Sequence, residues 1–131
     1  MERVYLVGHS MGGFTALNAL AQGAKVRGAI VIAPCDMGRI CEEDQPKFRA
    51  MMATQKSGYF RIPTETYLEE DVKAHAPQWR FDKLELPVQI PMHFIGGTQD
   101  TMTPPEFHIL PLYEQLRESS RNVTYKDIGW A

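Results

Sequence analysis

Four short runs rich in Val, Ile and aromatic residues punctuate the chain: Val4 to Val7, Gly28 to Ala33, Met92 to Ile95 and Val123 to Asp127. Runs of this length and composition predict β-strands. The first three are apolar at successive positions instead of alternating, as expected of parallel strands covered by helices on both faces. Between them lie segments of helical length. Gly12 to Ala21 sets Phe14, Leu17, Leu20 and Ala21 on one stripe and stops before Gly23, a C-terminal glycine. Strand, helix and strand then predict one βαβ unit. The second crossover runs from Pro34 to Gln89 and holds two helix-like stretches, Glu42 to Gln55 and Thr66 to Ala76. The latter opens on Thr66 with Glu69 three residues on, the pattern of a capping box. Pro87 and Pro91 flank the third strand, and the spacing of Phe107, Leu110, Tyr113 and Leu116 predicts a helix from Pro105 to Glu118, bent at Pro111. Strands alternating with helices predict an α/β fold with a parallel sheet.

Composition narrows the function classes. The 131 residues are 44% hydrophobic and 23% charged, enough to build the core of one domain and unlike a disordered or fibrous chain. Fourteen Lys plus Arg against sixteen Asp plus Glu leave a net charge of −2. With no basic block, nucleic acid and anionic membranes are poor partners. No apolar run reaches the roughly 18 residues a membrane span needs, and no export signal is visible, so the cytoplasm is the default expectation. Cys35 and Cys41 stand six apart, a spacing of no zinc or redox motif, and are expected to be structural. No ligand cluster or phosphate-cradling loop calls for a metal or organic cofactor.

The candidate chemistry begins directly after the first strand, at Gly8-His9-Ser10-Met11-Gly12-Gly13. This G-x-S-x-G pattern falls where a strand must turn sharply into a helix, the setting of a nucleophile elbow. Such a turn holds the serine in a strained backbone conformation, with Gly8 and Gly12 expected to leave room for strand and helix to pass. The backbone N–H of Met11, near a helix N-terminus, can then donate to a developing oxyanion. Chance produces the pattern in roughly 4% of such chains, so its position after a strand carries the weight. The pattern G-x-G-x-x-G is missing, which removes dinucleotide binding.

The loop Gly96 to Pro105 follows the third strand and carries Asp100. In a parallel sheet it shares the C-terminal edge with Ser10, where open α/β sheets place their sites. Asp100 can therefore be the acid of a Ser-His-Asp relay, orienting an imidazole. The histidines are His9, His75, His93 and His108, and none is placed to be the base. His9 lies inside the elbow and points away from the hydroxyl, His93 lies within a strand, and His75 and His108 read as surface or packing residues.

Val4 to Gly13 resembles the elbow of esterases, lipases and peptidases of the α/β-hydrolase family, and Phe94 to Pro104 resembles that family's acid loop. The order, Ser first and Asp ninety positions later, is similar to the family's Ser, Asp, His order. The resemblance covers the whole chain but only the C-terminal half of the family's domain. It implies Ser10 as nucleophile, Asp100 as triad acid and Met11 N–H as one oxyanion donor, with the base expected after Ala131. These residues alone would then be close to inactive, since losing the base costs on the order of 10⁶ in rate. It also implies that residues 36–85 form a cap-like insert over the site, with Phe48, Met51, Met52, Tyr59, Phe60 and Trp79 as candidate lining for an acyl or aromatic pocket. The expected reaction is hydrolysis of an ester or amide through an acyl-enzyme on Ser10. Acyl transfer, or a non-catalytic interaction module lacking the histidine, are the alternatives. In half a sheet the first strand becomes an exposed apolar edge, which predicts self-association.

Overall fold

Val, Ile and Phe lose little by adopting the extended backbone and gain from packing on a pleated surface, and the four runs form strands in the computed structural model. It describes residues 3–55, 66–119 and 121–129. The strands are β1 (Tyr5–His9), β2 (Gly28–Ile32), β3 (Met92–Gly97) and β4 (Val123–Ile128), all parallel in the order β1-β2-β3-β4. The helices are α1 (Met11–Ala21), α2 (Met37–Glu43), α3 (Gln45–Gln55), α4 (Tyr67–Trp79), α5 (Pro105–His108) and α6 (Leu110–Glu118), with a short 3₁₀ turn at Phe81–Lys83. The chain divides into two units. One joins residues 1–35 to 84–131 and contains the sheet, and the other is the helical insert 36–83.

In the sheet unit, parallel register places Gly8, Val31, Phe94 and Tyr125 in one row and Val7, Ile30, His93 and Thr124 in a row on the opposite face. Helix α1 packs on the first of these faces, where the Gly13 backbone meets Val31. Helix α6 packs on the same face, through Tyr113 against Phe94 and Tyr125. The handedness of parallel crossovers explains this. Right-handed connections that always step in one direction across the sheet deliver their helices to one side.

Apolar strands therefore do not mean two covered faces here, contrary to the expectation from their composition. Among the described residues, the face bearing Tyr5, Val7 and Ile30 leaves these side chains 59, 65 and 36% exposed. On the covered face Leu17, Leu20, Val31, Phe94, Leu112 and Leu116 are buried. Complete burial of such a side chain stabilises by about 1.5–3 kcal/mol.

Several local expectations change. The buried stripe of α1 is Gly13, Ala16, Leu17 and Leu20, not the one through Phe14 and Ala21. The predicted helix 105–118 is two helices, because Pro111 cannot bond back to residue 107 and instead occupies the first turn of α6. The stretch 42–55 likewise breaks at Asp44, whose carboxylate accepts from the Lys47 N–H and starts α3. Thr66 precedes α4 without a side-chain cap bond, so the capping box does not form.

In the helical unit, α2 and α4 cross where Gly38 lies. A Cβ at Gly38 would stand 2.3 Å from the Ala76 carbonyl oxygen. Arg80 ties this unit together by pairing with Glu42, Glu43 and Asp82. Cys35 and Cys41 are both buried and form no disulfide. None of the described helices is long and apolar enough to cross a membrane.

Candidate active site

Strand β1 ends at His9, and the chain reverses at Ser10 before α1 begins at Met11. Ser10 has φ 57° and ψ −117°, a conformation that costs a residue with a side chain on the order of 1–3 kcal/mol. The surroundings hold it there. The Ser10 N–H donates to the Ile32 carbonyl at 3.0 Å, and the Ser10 carbonyl accepts from the N–H groups of Gly13, Phe14 and Cys35 at 3.0, 3.2 and 3.2 Å.

Gly8 is required by close approach, since a Cβ there would lie 2.2 Å from the Gly12 carbonyl oxygen. Gly12 itself faces open space, and the second tight position is Gly13, whose Cβ would come within 2.8 Å of the Pro34 Cβ. The expectation that Gly8 and Gly12 share the steric role is therefore corrected to Gly8 and Gly13. The reason is that Gly13, one residue further into α1, faces β2, while Gly12 faces solvent.

The hydrogen-bond ladder of α1 starts with the Gly13 and Phe14 N–H groups, so the N–H of Met11 precedes it. As in any helix, the first such groups have no partner within the helix. Ser10 is partly exposed and Met11 exposed.

Strand pairing continues past the ends of β2 and β3, through Ala33 N–H to the Ile95 carbonyl and Thr98 N–H to the Ile128 carbonyl. Ser10 and the loop carrying Asp100 thus leave the same sheet edge from β1 and β3. With β2 between them, their strands stand about 10 Å apart, two interstrand spacings. The Asp100 Oδ1 accepts from the Met102 and Thr103 N–H groups, both at 2.9 Å, and its Oδ2 accepts from the Thr103 hydroxyl at 2.7 Å. A carboxylate offers about four acceptor positions, so Oδ2 keeps one for a further donor. Partial burial pushes this carboxyl up, but the Thr103 and Met102 bonds and nearby His108 outweigh it and hold the pKa below the ordinary carboxylate value. Asp100 is therefore anionic at neutral pH.

The histidines occupy four different settings. His9 is exposed at the end of β1. His75 Nδ1 pairs with the Asp71 carbonyl at 2.8 Å and its ring stacks on Trp79. His93 Nδ1 meets the Thr124 hydroxyl at 2.5 Å across two strands. His108 is buried at the end of α5 beside Phe107; its surface alternative does not hold. Of the pocket candidates, Phe48 and Met52 are buried, Met51 and Trp79 are partly exposed, and Tyr59 and Phe60 lie outside the described residues. Two backbone features escaped the sequence: the strained Ala33, at φ 42°, and the Cys35 N–H on Ser10. No motif marks either, because both depend on how β2 leaves the sheet beside β1. No group of three or more His, Cys, Asp or Glu able to hold a metal occurs among the described residues.

The parallel sheet with its crossover helices agrees with known proteins of one family. The model of the alpha/beta hydrolase family matches residues 1–124, and the chain belongs to that family. Solved structures share the fold at low identity. Acylaminoacyl peptidase from Pyrococcus horikoshii aligns at 17% identity and TM-score 0.65, over 99% of this chain and 20% of its own. The Pyrococcus furiosus esterase Pf2001 aligns at 16% and 0.56, over 95% and 43%. Alpha/beta hydrolase domain-containing protein 10 from mouse aligns at 22% and 0.57, over 100% and 54%. The chain thus spans between about a fifth and about half of the length of these structures. No curated protein matches it.

Proposed function

We propose that this chain carries the nucleophile and the acid of a serine hydrolase that cleaves a carboxylic ester, or an amide, through an acyl-enzyme. Family membership supports hydrolase chemistry in general. The observation that carries the finer reading is the backbone of Ser10, held by bonds on both sides in a conformation that costs free energy for a residue with a side chain. In this reading a histidine other than the four described above accepts the Ser10 proton, and Asp100 holds that imidazole through its remaining Oδ2 position. Ser10 Oγ attacks the substrate carbonyl, and the Met11 N–H donates to the oxyanion. Collapse releases the alcohol or amine, and water then releases the acid. Acyl transfer uses the same groups with another acceptor in place of water. Within the helical insert Met51 and Trp79 keep partly exposed side chains, while Phe48 and Met52 are buried among its helices.

The test is reaction of the full-length natural protein with a serine-directed fluorophosphonate, followed by peptide mass spectrometry. A single adduct on Ser10, absent from Ser10→Ala and slowed in Asp100→Asn, is the expected result. An unmodified Ser10 would overturn the proposal.

A second reading, an interaction module, draws on the uncovered sheet face and on the outer edge of β1, which pairs with no strand among the described residues. Apolar edges of this kind recruit other chains, and it predicts self-association of these 131 residues through β1.

A further inference from the structure

The Ser10–Met11 peptide has two ends with different tasks. Its N–H is the oxyanion donor of the proposed reaction, and its carbonyl oxygen receives three N–H groups. Two of these, from Gly13 and Phe14, come from the first turn of α1, as at any helix start. The third, from Cys35, arrives from another strand. The chain leaves β2 at Ile32, turns through Ala33 at φ 42° and passes buried Pro34, which fills the space beside Gly13. Cys35 N–H then reaches the Ser10 carbonyl at 3.2 Å. Three residues earlier, the Ile32 carbonyl takes the Ser10 N–H at 3.0 Å.

The exit of β2 therefore grips Ser10 on both sides of its Cα. The bond to Ile32 sets the peptide before it, and the bond from Cys35 sets the peptide after it. Between them they fix φ and ψ in a region that a free serine would leave. The peptide is trans, so a carbonyl pinned toward Cys35 turns the Met11 N–H to the opposite side. Hydrogen bonds to the carbonyl also polarise the amide and strengthen its N–H as a donor.

We propose that the backbone N–H of Cys35 is a positioning group for catalysis, which aims and polarises the Met11 N–H through the Ser10 carbonyl, with the strained Ala33 as the turn that delivers it. This inference rests on the reading of Ser10 as nucleophile. It assigns no role to the Cys35 thiol.

The test replaces single amides by esters in the full-length protein, which deletes one N–H without changing a side chain. Two forms are compared with the unmodified protein: an ester at Cys35, and an ester at Ala24, whose N–H bonds to the Ala19 carbonyl at the far end of α1. Fluorophosphonate labelling of Ser10 is expected to slow about tenfold in the Cys35 ester, short of the hundredfold or greater loss that follows removal of an oxyanion donor itself. The Ala24 ester is expected to label at the unmodified rate, which separates positioning from a general loss of stability. In ¹⁵N–¹H spectra the Met11 amide proton is expected to move upfield in the Cys35 ester and to stay in place in the Ala24 ester. Equal labelling of all three proteins, or an unmoved Met11 resonance in the Cys35 ester, overturns the inference and leaves the serine reading intact. Failure of the unmodified protein to label overturns the serine reading and this inference with it.

Discussion

Among the described residues, two with side chains hold positive φ angles, Ser10 at 57° and Ala33 at 42°, and both sit just past the end of neighbouring strands. A side chain in this region costs roughly 1–2 kcal/mol, which glycine avoids at some loss in unfolded-state entropy. Ala33→Gly is therefore expected to stabilise the sheet unit by about 1 kcal/mol in urea denaturation, and Ser10→Gly by a similar amount while removing the phosphonate adduct. Destabilisation by both variants would show that neither position is strained.

Asp36 offers a pH test. Its side chain is buried at the start of α2, where it accepts from the N–H groups of Arg39 and Phe81. Burial, the largest influence, lifts its pKa from 3.8 to about 6 despite those bonds. The folded state thus holds the proton more tightly than the unfolded chain. The resulting penalty is absent below about pH 4 and grows until the pH passes 6, reaching on the order of 3 kcal/mol. The urea midpoint of the helical unit is expected to fall between pH 4 and pH 7 by more than it does in Asp36→Asn. Parallel pH profiles for the two proteins would count against the buried-carboxylate account.

At the scale of elements, the strands follow their sequence pattern to within two residues at either end, because apolar β-branched runs have few other stable settings. Helix limits were less legible. Pro111 divides α5 from α6, and Asp44 divides α2 from α3, both by local chemistry that a periodicity over longer windows averages away. The crossing of α2 and α4 depends on Gly38, whose missing Cβ leaves room for the Ala76 carbonyl and the Arg80 N–H. Gly38→Ala must push two backbones apart, and is expected to destabilise the helical unit by about 2 kcal/mol or more. The helical CD signal would report the loss in thermal melts. An unchanged melting temperature would mean that the crossing adapts without cost.

At the scale of the molecule, the sheet has one buried face and one with Tyr5, Val7 and Ile30 exposed across β1 and β2. Contiguous apolar surface of this sort is where chains associate. These 131 residues expressed alone are expected to show concentration-dependent mass by light scattering, and Val7→Lys together with Ile30→Lys to shift the population toward monomer. A monodisperse monomer at high concentration would remove the self-association reading.

The sequence by itself determined the strands, their parallel class, and Ser10 and Asp100 as candidate partners at one edge. Each is written in local patterns: apolar runs, a glycine-flanked serine after a strand, an aspartate in the loop after another. Only the tertiary structure decided which face of the sheet is covered, because apolar residues on both sides record what a strand tolerates, while the side that receives helices depends on strand order and crossover hand. Tertiary structure also assigned the tight glycine to Gly13 instead of Gly12, and joined Cys35 to Ser10. Those contacts form between segments whose approach is set by the packing of β1 against β2, and a one-dimensional pattern carries no record of that distance.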